Sequence, residues 1–516
     1  MTEALIRAGS LVMYYENGFL RYIHRRNVEI IRLFYFALRD QHWGTFPSYR
    51  SEELMDVRED HFKIHYCCSH KIDGKDIFFW NVTIQGNHDD SIIFEIEGKV
   101  LRNFKKNRAG FCVLHPIRNM GRRPVWLDHA DGSKSQSTFP EYVDPQNPFL
   151  NLKAMRWQAA DDLEYQLDFE GDLFETEDQR NWTDASFKTF CTPLALPFPV
   201  WMKKGEIIWQ KIVLKVLSKI EPSEKEAIFE IPSFKKIAPK HTIHLPEIGI
   251  GASTEAAMLS PKAISLLKKL PLTHYRVEVK PLYKPWKVNF LREIHHATQL
   301  NVPLKIALHL SENFEPEILE FIHVIDLYKV KIKEILLLSE NQPLTSQQVI
   351  DYVISFPNLF PGVKLGAGTD TNFAELNRNR FDPHHLDFIS YSIHPQEHAF
   401  DNQSLIESLE GQQDTVLSAR KLYPLQEIHI SPLTLRKRFN PYCTDPSARI
   451  MKNSQKADPR QKTAFGAEWA INSLHNLKTA GVTSVTLFQT VGNQGLISNK
   501  EAMYPIYTTL LKYSEE

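Results

Sequence analysis

The second half of the chain alternates short apolar runs with helix-length amphipathic segments. Segments such as FEPEILEFIHVIDLY and QKTAFGAEWAINSLHNLKTAG have helical spacing. Eight strand–helix units in about 270 residues are typical of a (β/α)8 TIM barrel, predicted here for residues 240–516. A doubly wound parallel sheet also alternates but seldom uses eight consecutive units. The eight apolar runs are EIGIG, HYRVEVK, PLKIALHL, KEILLL, VKLGAG, LDFISYSI, EIHIS and SVTLFQT.

The first half has the two-residue period of β-strands. In IFFWNVTIQG and SIIFEIEGKV every second position is apolar, and turn-rich DGK and GNHDD separate such runs. This pattern predicts an N-terminal antiparallel β-sandwich domain over residues 1–235. A Pro-, Ser- and charge-rich stretch at 220–246 indicates the passage between domains, and 516 residues are too many for one core.

Composition excludes several classes of partner. Lys plus Arg number 61 and Asp plus Glu 62, so the net charge of -1 gives no electrostatic reason to bind nucleic acid or an anionic membrane. No apolar run approaches the ~20 residues that cross a bilayer, and the amino terminus lacks signal-peptide features. The five scattered cysteines have no metal-ligand spacing and fit free thiols. We expect a cytoplasmic protein with a small-molecule ligand, no metal and no cofactor; the sequence does not indicate its oligomeric state.

In a TIM barrel the reactive groups lie at the carboxyl ends of the strands and in the loops that follow them. Glu278 lies late in strand two and His309 ends strand three. Strand six delivers His394, a candidate acid or base because histidine changes charge near neutral pH. The densest polar cluster follows strand five, with Asp370, Asn372, Glu375 and Asn377.

Each candidate also has a structural interpretation. Asp370 or Thr371 could cap the next helix, and Glu375 could satisfy its first-turn amides. A histidine at a strand end is often a hydrogen-bonded bystander, which is the preferred interpretation for His398. Loop seven is long, and its basic run Arg436–Arg438 could bind a carboxylate, although a solvated run is the more common outcome.

The segment FEGDLFETEDQRNWTDASFKTF, residues 169–190, concentrates charge where a strand should end. We interpret residues 170–199 as an arm that reaches the barrel mouth, where Trp182 provides a flat wall for a carbohydrate-like ring. The alternative is a solvated hairpin with a partly buried Trp. The candidate substrate-binding residues of this arm are Glu175, Asp178, Arg180, Asn181, Trp182, Asp184 and Lys188.

Several distinctive motifs lie in both halves of the chain. They are VEIIRLFYFALRDQHWGTFPS at 28–48, NRAGFCVLHP at 107–116, the segment at 169–190 with CTPLALPFP at 191–199, GTDTNFAELNR at 368–378, YSIHPQEHAFD at 391–401 and ADPRQ at 457–461. In these motifs the sequence resembles the D-apionate lactonase family of bacterial carbohydrate catabolism. The resemblance implies a β domain followed by a TIM barrel, and hydrolysis of a sugar-derived lactone to its aldonate. Family members are commonly longer, with a small additional carboxyl-terminal domain, and tend to carry an acidic residue where this chain has Gln489, a further candidate for substrate binding.

Lactone hydrolysis needs an activated water, oxyanion stabilisation and a proton for the leaving ring oxygen. No G-x-S-x-G nucleophile elbow is present. We therefore expect Asp370 or Glu375 as base and His394 as proton donor or oxyanion partner, with Glu278, His309, Asn372, Asn377 and the arm binding substrate.

Three other functions stay open. A barrel glycosidase would usually carry carboxylates after strands four and seven, and only Glu340 occupies such a place. A metal-dependent hydrolase would use Glu278, His309, Asp370 and His394 as ligands. A non-catalytic carbohydrate-binding protein would keep affinity for sugars without turnover.

Overall fold

Two compact units make up the chain. The structure is a computed structural model that describes residues 3–218, 229–236, 245–255, 258–441, 451 and 453–514. The first unit comprises residues 1–179 and 186–231, and the second comprises residues 180–185 and 232–516. Much of the predicted passage at 220–246, and Cys443, lie outside the described residues.

The first unit is an antiparallel sheet, and seventeen strands lie within its described residues. They are β1 (Glu3–Ala8), β2 (Leu11–Glu16), β3 (Phe19–Arg25), β4 (Val28–Asp40), β5 (Tyr49–Val57), β6 (Phe62–Ile72), β7 (Lys75–Gly86), β8 (Ser91–Val100), β9 (Phe104–Pro116), β10 (Pro124–His129), β11 (Lys134–Thr138), β12 (Phe149–Ala160), β13 (Leu163–Glu170), β14 (Phe174–Asp178), β15 (Ser186–Phe190), β16 (Val200–Met202) and β17 (Ile207–Val216).

Alternation of side chains along these strands builds the core of the first unit. On β7 the side chains of Phe78, Trp80, Val82 and Ile84 are fully buried, while Asn81 between them is exposed. β8 pairs antiparallel with β7 and buries its own alternate positions in the same cluster. The sheet therefore folds as a sandwich-like, nearly closed unit around one apolar cluster, as the sequence predicts.

The second unit is a closed parallel barrel. Its strands are β18 (Glu247–Gly251), β19 (His274–Val279), β20 (Leu304–Leu310), β21 (Ile332–Ser339), β22 (Lys364–Gly368), β23 (Phe388–Ile393), β24 (Glu427–Leu433) and β25 (Ser484–Val491), with the short β26 (Gly495–Ile497) beside β25. β18 pairs in parallel with both β19 and β25, which closes the ring of eight. All eight predicted strands are present, and the predicted fold class is confirmed.

Helices follow the barrel strands. They are α1 (Pro261–Leu267), α2 (Trp286–Leu300), α3 (Phe314–Leu327), α4 (Gln347–Ser355), α5 (Phe373–Arg378), α6 (Asn402–Leu422), α7 (Asn453–Lys456), α8 (Ala464–Ala480) and α9 (Pro505–Ser514). Side-chain caps fix where several of them begin: Ser346 accepts from Val349 N and Asp401 from Ser404 N. Among the described helices, none is both long and apolar enough to cross a membrane.

The barrel interior contains a buried charged network. Lys305 Nζ on β20 lies 2.9 Å from Glu334 Oε2 on β21 and 2.9 Å from His429 Nδ1 on β24. Because β20 and β24 are not neighbours in the sheet, the second contact crosses the interior. Lys305 and Glu334 are each 1% exposed, so the two charges compensate each other where water cannot.

Candidate active site

Six ionisable side chains converge at the carboxyl ends of barrel strands two to five and of strand seven. Arg276 and Glu278 lie near the end of β19, His309 near the end of β20, Glu340 directly after β21 and Asp370 two residues after β22; Arg438 follows β24. We call these six residues the strand-end cluster. Only Glu278 is widely open to solvent, with 38% of its side chain exposed.

Two arginines hold the carboxylates Glu278 and Asp370. Arg276 places Nη1 3.0 Å from Glu278 Oε1 and Nη2 3.0 Å from Asp370 Oδ1. Arg438 makes the same two pairs at 2.6 and 2.5 Å. Burial alone would raise the pKa of Glu278, but Arg276 and Arg438 outweigh it and hold that pKa well below its usual range. Both guanidinium groups use one oxygen of each carboxylate and leave the other oxygen available.

His309 lies between two carboxylates without a hydrogen bond to either. Its Nδ1 is 3.8 Å from Glu340 Oε1, and its Nε2 is 3.8 Å from Asp370 Oδ2. Both distances exceed hydrogen-bond length. Within the described part of the chain, buried His309 Nε2 and Glu340 Oε1 have no hydrogen-bond partner. Such buried polar atoms cost free energy unless a water or ligand satisfies them.

The environment sets the protonation of His309 and Glu340 in opposite directions. Burial and the nearby Lys280 lower the pKa of His309 to about 4, so the imidazole is neutral at physiological pH. Burial raises the pKa of Glu340; Lys280 opposes this, and the negative charges of Glu278 and Asp370 add to it. The cluster therefore combines a neutral imidazole with a carboxyl that retains its proton more readily than usual, as acid–base catalysis requires.

Glu278, His309 and Asp370 also have the composition of a metal site. Their ligand atoms lie within 4.8 Å of one another. However, both carboxylates already pair with Arg276 and Arg438. A divalent cation about 5 Å from a guanidinium would be repelled by several kcal/mol at an effective dielectric constant of about 20. The arginines therefore disfavour a metal ion at this place.

Comparison with known proteins identifies the chain's family. A family model described as the D-apionate lactonase N-terminal domain matches residues 1–219, and one described as the D-apionate lactonase TIM barrel domain matches residues 248–516. The chain belongs to the D-apionate lactonase family. A D-apionate lactonase from Brucella anthropi is 27% identical over 541 residues, which cover 98% of this chain and 86% of that protein. Membership in the D-apionate lactonase family makes the chain a carbohydrate lactonase, a hydrolase of cyclic carboxylic esters.

Two of the solved structures that are similar to the chain are glycosidases. A family 51 α-L-arabinofuranosidase from Bifidobacterium longum has a TM-score of 0.35 and 10% identity, covering 52% of this chain and 73% of that one. A β-glucuronidase from Ruminococcus gnavus has a TM-score of 0.38 and 8% identity, covering 94% of this chain and 69% of that one.

The structure brings together three of the site residues predicted from the sequence. Glu278, His309 and Asp370 meet in the strand-end cluster. Asn372 is fully buried, and neither atom of its amide has a partner among the described residues. It is the N-cap residue of α5, so the structural alternative in which Asp370 or Thr371 caps this helix is wrong. The Asn372 side chain makes no capping bond, which leaves it available for a ligand.

His394 and Glu375 lie on the neighbouring elements. His394 follows β23; its buried Nδ1 is 3.7 Å from Glu397 Oε2, and burial lowers the pKa of His394 to about 4. Glu375 lies in the first turn of α5. Gln489, near the end of β25, accepts hydrogen bonds from Thr254 N and Oγ1 at 3.0 and 3.2 Å. Their roles in catalysis or binding stay predictions.

Residues 180–185 of the predicted arm pack against the barrel helices of the second unit. Arg180 Nη1 pairs with Asp414 Oδ2 at 2.8 Å, and Asn181 Oδ1 accepts from Asn377 Nδ2 at 3.0 Å. A Cβ on Gly411 would lie 2.5 Å from the carbonyl oxygen of Thr183. Glycine is therefore required on α6 for the segment to approach this closely.

Trp182 and Asp184 have partners on these same elements. The Arg378 guanidinium lies 4.8 Å from the centre of the Trp182 ring, and His398 meets the same ring edge-on at 5.1 Å. Asp184 Oδ2 lies 2.7 Å from His398 Nδ1, so His398 has the bystander role that the sequence favours. Trp182 is 7% exposed, which leaves little of its ring for a sugar.

Glu175, Asp178 and Lys188 belong to the first unit, where each has a local partner. Glu175 Oε1 accepts from Leu194 N at 2.7 Å, and Asp178 Oδ2 accepts from Asp144 N at 2.9 Å. Lys188 Nζ pairs with Glu177 at 2.9 Å across the β14–β15 ladder. These contacts stabilise the hairpin, and the predicted contacts with substrate stay predictions.

Arg276 and Arg438 were not among the site residues predicted from the sequence, although Arg438 belongs to the basic run that could bind a carboxylate. Arg276 precedes Glu278 by two residues, so the strand period places both side chains on one face; that signal was available. Arg438 belongs to the basic run for which the sequence favoured a solvated surface, and that interpretation is wrong. Arg436, Lys437 and Arg438 pair with Asp458, Glu397 and the strand-end cluster.

The lowered pKa of Asp458 predicts that the protein loses stability in acid. Burial would raise the pKa of Asp458, but hydrogen bonds from Arg460 and Gln396 lower it to about 2, against about 3.9 in an unfolded chain. A lowered native pKa contributes stability above the unfolded pKa, and that contribution disappears as the pH falls through the native pKa. We expect Asp458 to contribute roughly 2 kcal/mol at pH 6 that is lost between about pH 5 and pH 2.

Urea unfolding at a series of pH values measures this contribution. In the variant Asp458→Asn, the free energy of unfolding should depend less steeply on pH over this range than in wild type. The control Asp387→Asn, at an exposed carboxylate that accepts from Leu365 N at 2.8 Å, should retain it. Equal slopes in wild type and Asp458→Asn would contradict the expectation.

Proposed function

We propose that the chain hydrolyses the lactone of a sugar acid, D-apionolactone or a closely related aldonolactone, to its aldonate at the strand-end cluster. One observation carries the proposal: buried, neutral His309 lies between Glu340 and Asp370, 3.8 Å from each, without a hydrogen bond to either. A water and a lactone carbonyl can bond to these atoms without displacing an existing hydrogen bond.

Asp370 is the proposed general base. Its Oδ1 is occupied by Arg276 and Arg438, while Oδ2 faces His309 Nε2. Oδ2 accepts a proton from water as the water oxygen forms its bond to the lactone carbonyl carbon. His309 orients that water through Nε2. A positioned base of this kind contributes about 10²–10⁴-fold to a rate.

Glu340 is the proposed proton donor. As the tetrahedral intermediate collapses, the bond between the carbonyl carbon and the ring oxygen breaks, and the ring oxygen needs a proton to leave as a hydroxyl. The raised pKa of Glu340 suits this role. The product's carboxylic acid group then returns a proton to Glu340, and Asp370 releases the proton it took from water to solvent, so that one proton leaves with each aldonate. Burial lowers the pKa of His394 to about 4, so its imidazole is neutral at physiological pH and His394 is an alternative oxyanion partner, not a proton donor.

Positive charge beside the two acids suits the developing oxyanion. Arg438 offers guanidinium donors that are 13% exposed, and Lys280 lies 3.8 Å from Glu340 with 39% of its side chain exposed. Fixed donors directed at the position where charge develops are worth about 10²–10³-fold. Arg438 and Lys280 are therefore the proposed oxyanion partners, and Asn372 a hydrogen-bonding group for the sugar hydroxyls.

A pH-indicator assay tests the function. Purified protein should acidify a weakly buffered solution of D-apionolactone or another neutral aldonolactone, with one proton released for each ring opened. Proton NMR should identify the aldonate, and the spontaneous hydrolysis of the lactone is subtracted. Because Arg276 and Arg438 disfavour a metal, dialysis against EDTA should leave the rate unchanged within about twofold.

Three further measurements separate the other candidate functions. Aryl glycosides in place of the lactone should release no phenol; release without lactone turnover would replace the proposal with a glycosidase. Loss of activity in EDTA that Zn²⁺ or Mn²⁺ restores would favour the metal-dependent hydrolase. Sugar binding by calorimetry without turnover of either substrate would indicate a binding protein.

A further inference from the structure

The five residues after β24 are each tied to a different part of the barrel. Thr434 N donates to Ile393 O at 3.0 Å, and Leu435 O accepts from Gln396 Nε2 at 2.9 Å. The next three residues carry positive side chains, and each pairs with a separate acidic partner. These side chains are Arg436, Lys437 and Arg438, with partners Asp458, Glu397 and, for Arg438, both Glu278 and Asp370.

Asp458 has the most partners of these carboxylates and lies outside the strand-end cluster. It is 1% exposed, and its Oδ2 accepts from Gln396 Nε2 at 2.6 Å and from Arg436 Nε at 3.3 Å. Arg460 donates to it from the backbone N and from Nε at 2.9 Å each, and from Nη2 at 2.8 Å. Asp458 caps the short 3-10 helix Pro459–Lys462, and this cap needs only the bond from Arg460 N. The remaining bonds connect Asp458 to residues outside the cap.

Gln396 connects Asp458 to the loop backbone. Its Nε2 donates both to Asp458 Oδ2 and to Leu435 O, and its Oε1 accepts from Arg460 Nη2 at 3.0 Å. Gln396 is 1% exposed, so its amide cannot exchange these hydrogen bonds for hydrogen bonds to solvent. The orientation of this amide is therefore fixed by Asp458, and through it the position of Leu435, three residues before Arg438.

We propose that Asp458 is a positioning residue that holds Arg438 against Asp370 and Glu278. Asp458 holds Arg436 by an ion pair and holds Leu435 through Gln396. These two contacts fix the backbone just before Arg438, so the Arg438 side chain is directed at Glu278 and Asp370. The proposal rests on the proposed function, which assigns Arg438 to the developing oxyanion and Asp370, its ion-pair partner, to the general base. Misplacement of such a group by about 1 Å costs on the order of 10²-fold in rate.

The variant Asp458→Asn tests the proposal. Its amide nitrogen would face the Gln396 and Arg436 donors, which breaks the anchor at nearly constant volume. We expect kcat to fall by about 10–100-fold, as for other supporting groups around a site, with KM within about threefold. The acidic limb of the pH profile should move to higher pH, because a displaced Arg438 no longer favours the charged form of Glu278. Asp387→Asn is the control and should behave as wild type.

Two further variants separate positioning from a structural role. Arg436→Met breaks the same anchor from a side chain that is 32% exposed, so it should fold and show the same pH shift with a smaller rate loss. In an Arg438→Lys background, Asp458→Asn should cost less than threefold more, because residues that act through one another are non-additive. Thermal unfolding reports on folding in each case.

The outcomes are distinguishable. A wild-type protein without lactone turnover contradicts the proposed function. An active wild type whose Asp458→Asn variant keeps its pH profile, or loses activity additively with Arg438→Lys, overturns the positioning role and leaves the function intact.

Discussion

Asp370→Asn is expected to lower kcat for lactone hydrolysis by about 10²–10⁴-fold, the contribution of a positioned general base. The amide cannot accept a proton, although it preserves the shape of the side chain. Steady-state rates from the pH-indicator assay measure the effect. Melting temperatures should differ little, because Arg276 and Arg438 retain Glu278 as a partner.

Two further variants test whether Asp370 is the base. Glu340→Gln should also lose activity, but by weakening the basic limb of the pH profile, since it removes the proposed donor rather than the base. Glu375→Gln tests the other carboxylate that the sequence offered as base and should stay within about threefold of wild type. If Glu375→Gln abolished turnover while Asp370→Asn kept it, the assignment of the base would be wrong.

Lys305→Met should give the largest loss of stability. Removing one partner of a buried ion pair leaves an uncompensated charge, and that costs about 3–5 kcal/mol. Here the charge is Glu334, which is 1% exposed and would keep only His429 Nδ1 at 3.4 Å and Lys333 at 3.7 Å. Urea unfolding, followed by activity and by far-ultraviolet circular dichroism, measures the change in free energy for the barrel.

The matched control is Lys364→Met. Lys364 pairs with Glu427 at 2.7 Å, but 44% of its side chain is exposed, so its loss should cost less than about 1 kcal/mol. The double variant Lys305→Met with Glu334→Leu should regain most of the stability, because it removes both charges. A Lys305→Met variant as stable as Lys364→Met would show that water reaches Glu334.

The fold could be predicted because the spacing of apolar residues in the sequence matches the period of the elements that they form. The two-residue period of IFFWNVTIQG identified the buried face of β7, and all eight apolar runs of the second half became barrel strands. The charged barrel interior was not predictable in this way. A lysine in PLKIALHL looks the same whether its side chain points to solvent or into the barrel, and only the ring of strands brings Lys305, Glu334 and His429 together.

The site was partly predictable for a geometric reason. The rule that reactive groups lie at strand ends located Glu278, His309 and Asp370, since each is a fixed distance from an apolar run. Arg438 follows its strand by five residues, and the path of a loop over that distance is set by contacts such as those of Gln396 and Asp458. These contacts join residues 39 and 62 positions apart, which no local pattern encodes.

The segment Arg180–Ala185 has a consequence for how the protein is made. The ribosome synthesises these six residues long before α6. Arg180 therefore cannot form its ion pair until Asp414, 234 positions later in the chain, has been synthesised. The second unit therefore cannot mature from its own contiguous stretch of polypeptide alone. Its assembly requires closure of a very long loop, a slow event in folding, so a gene fragment starting at Pro232 would encode a barrel with an unfilled groove beside Gly411.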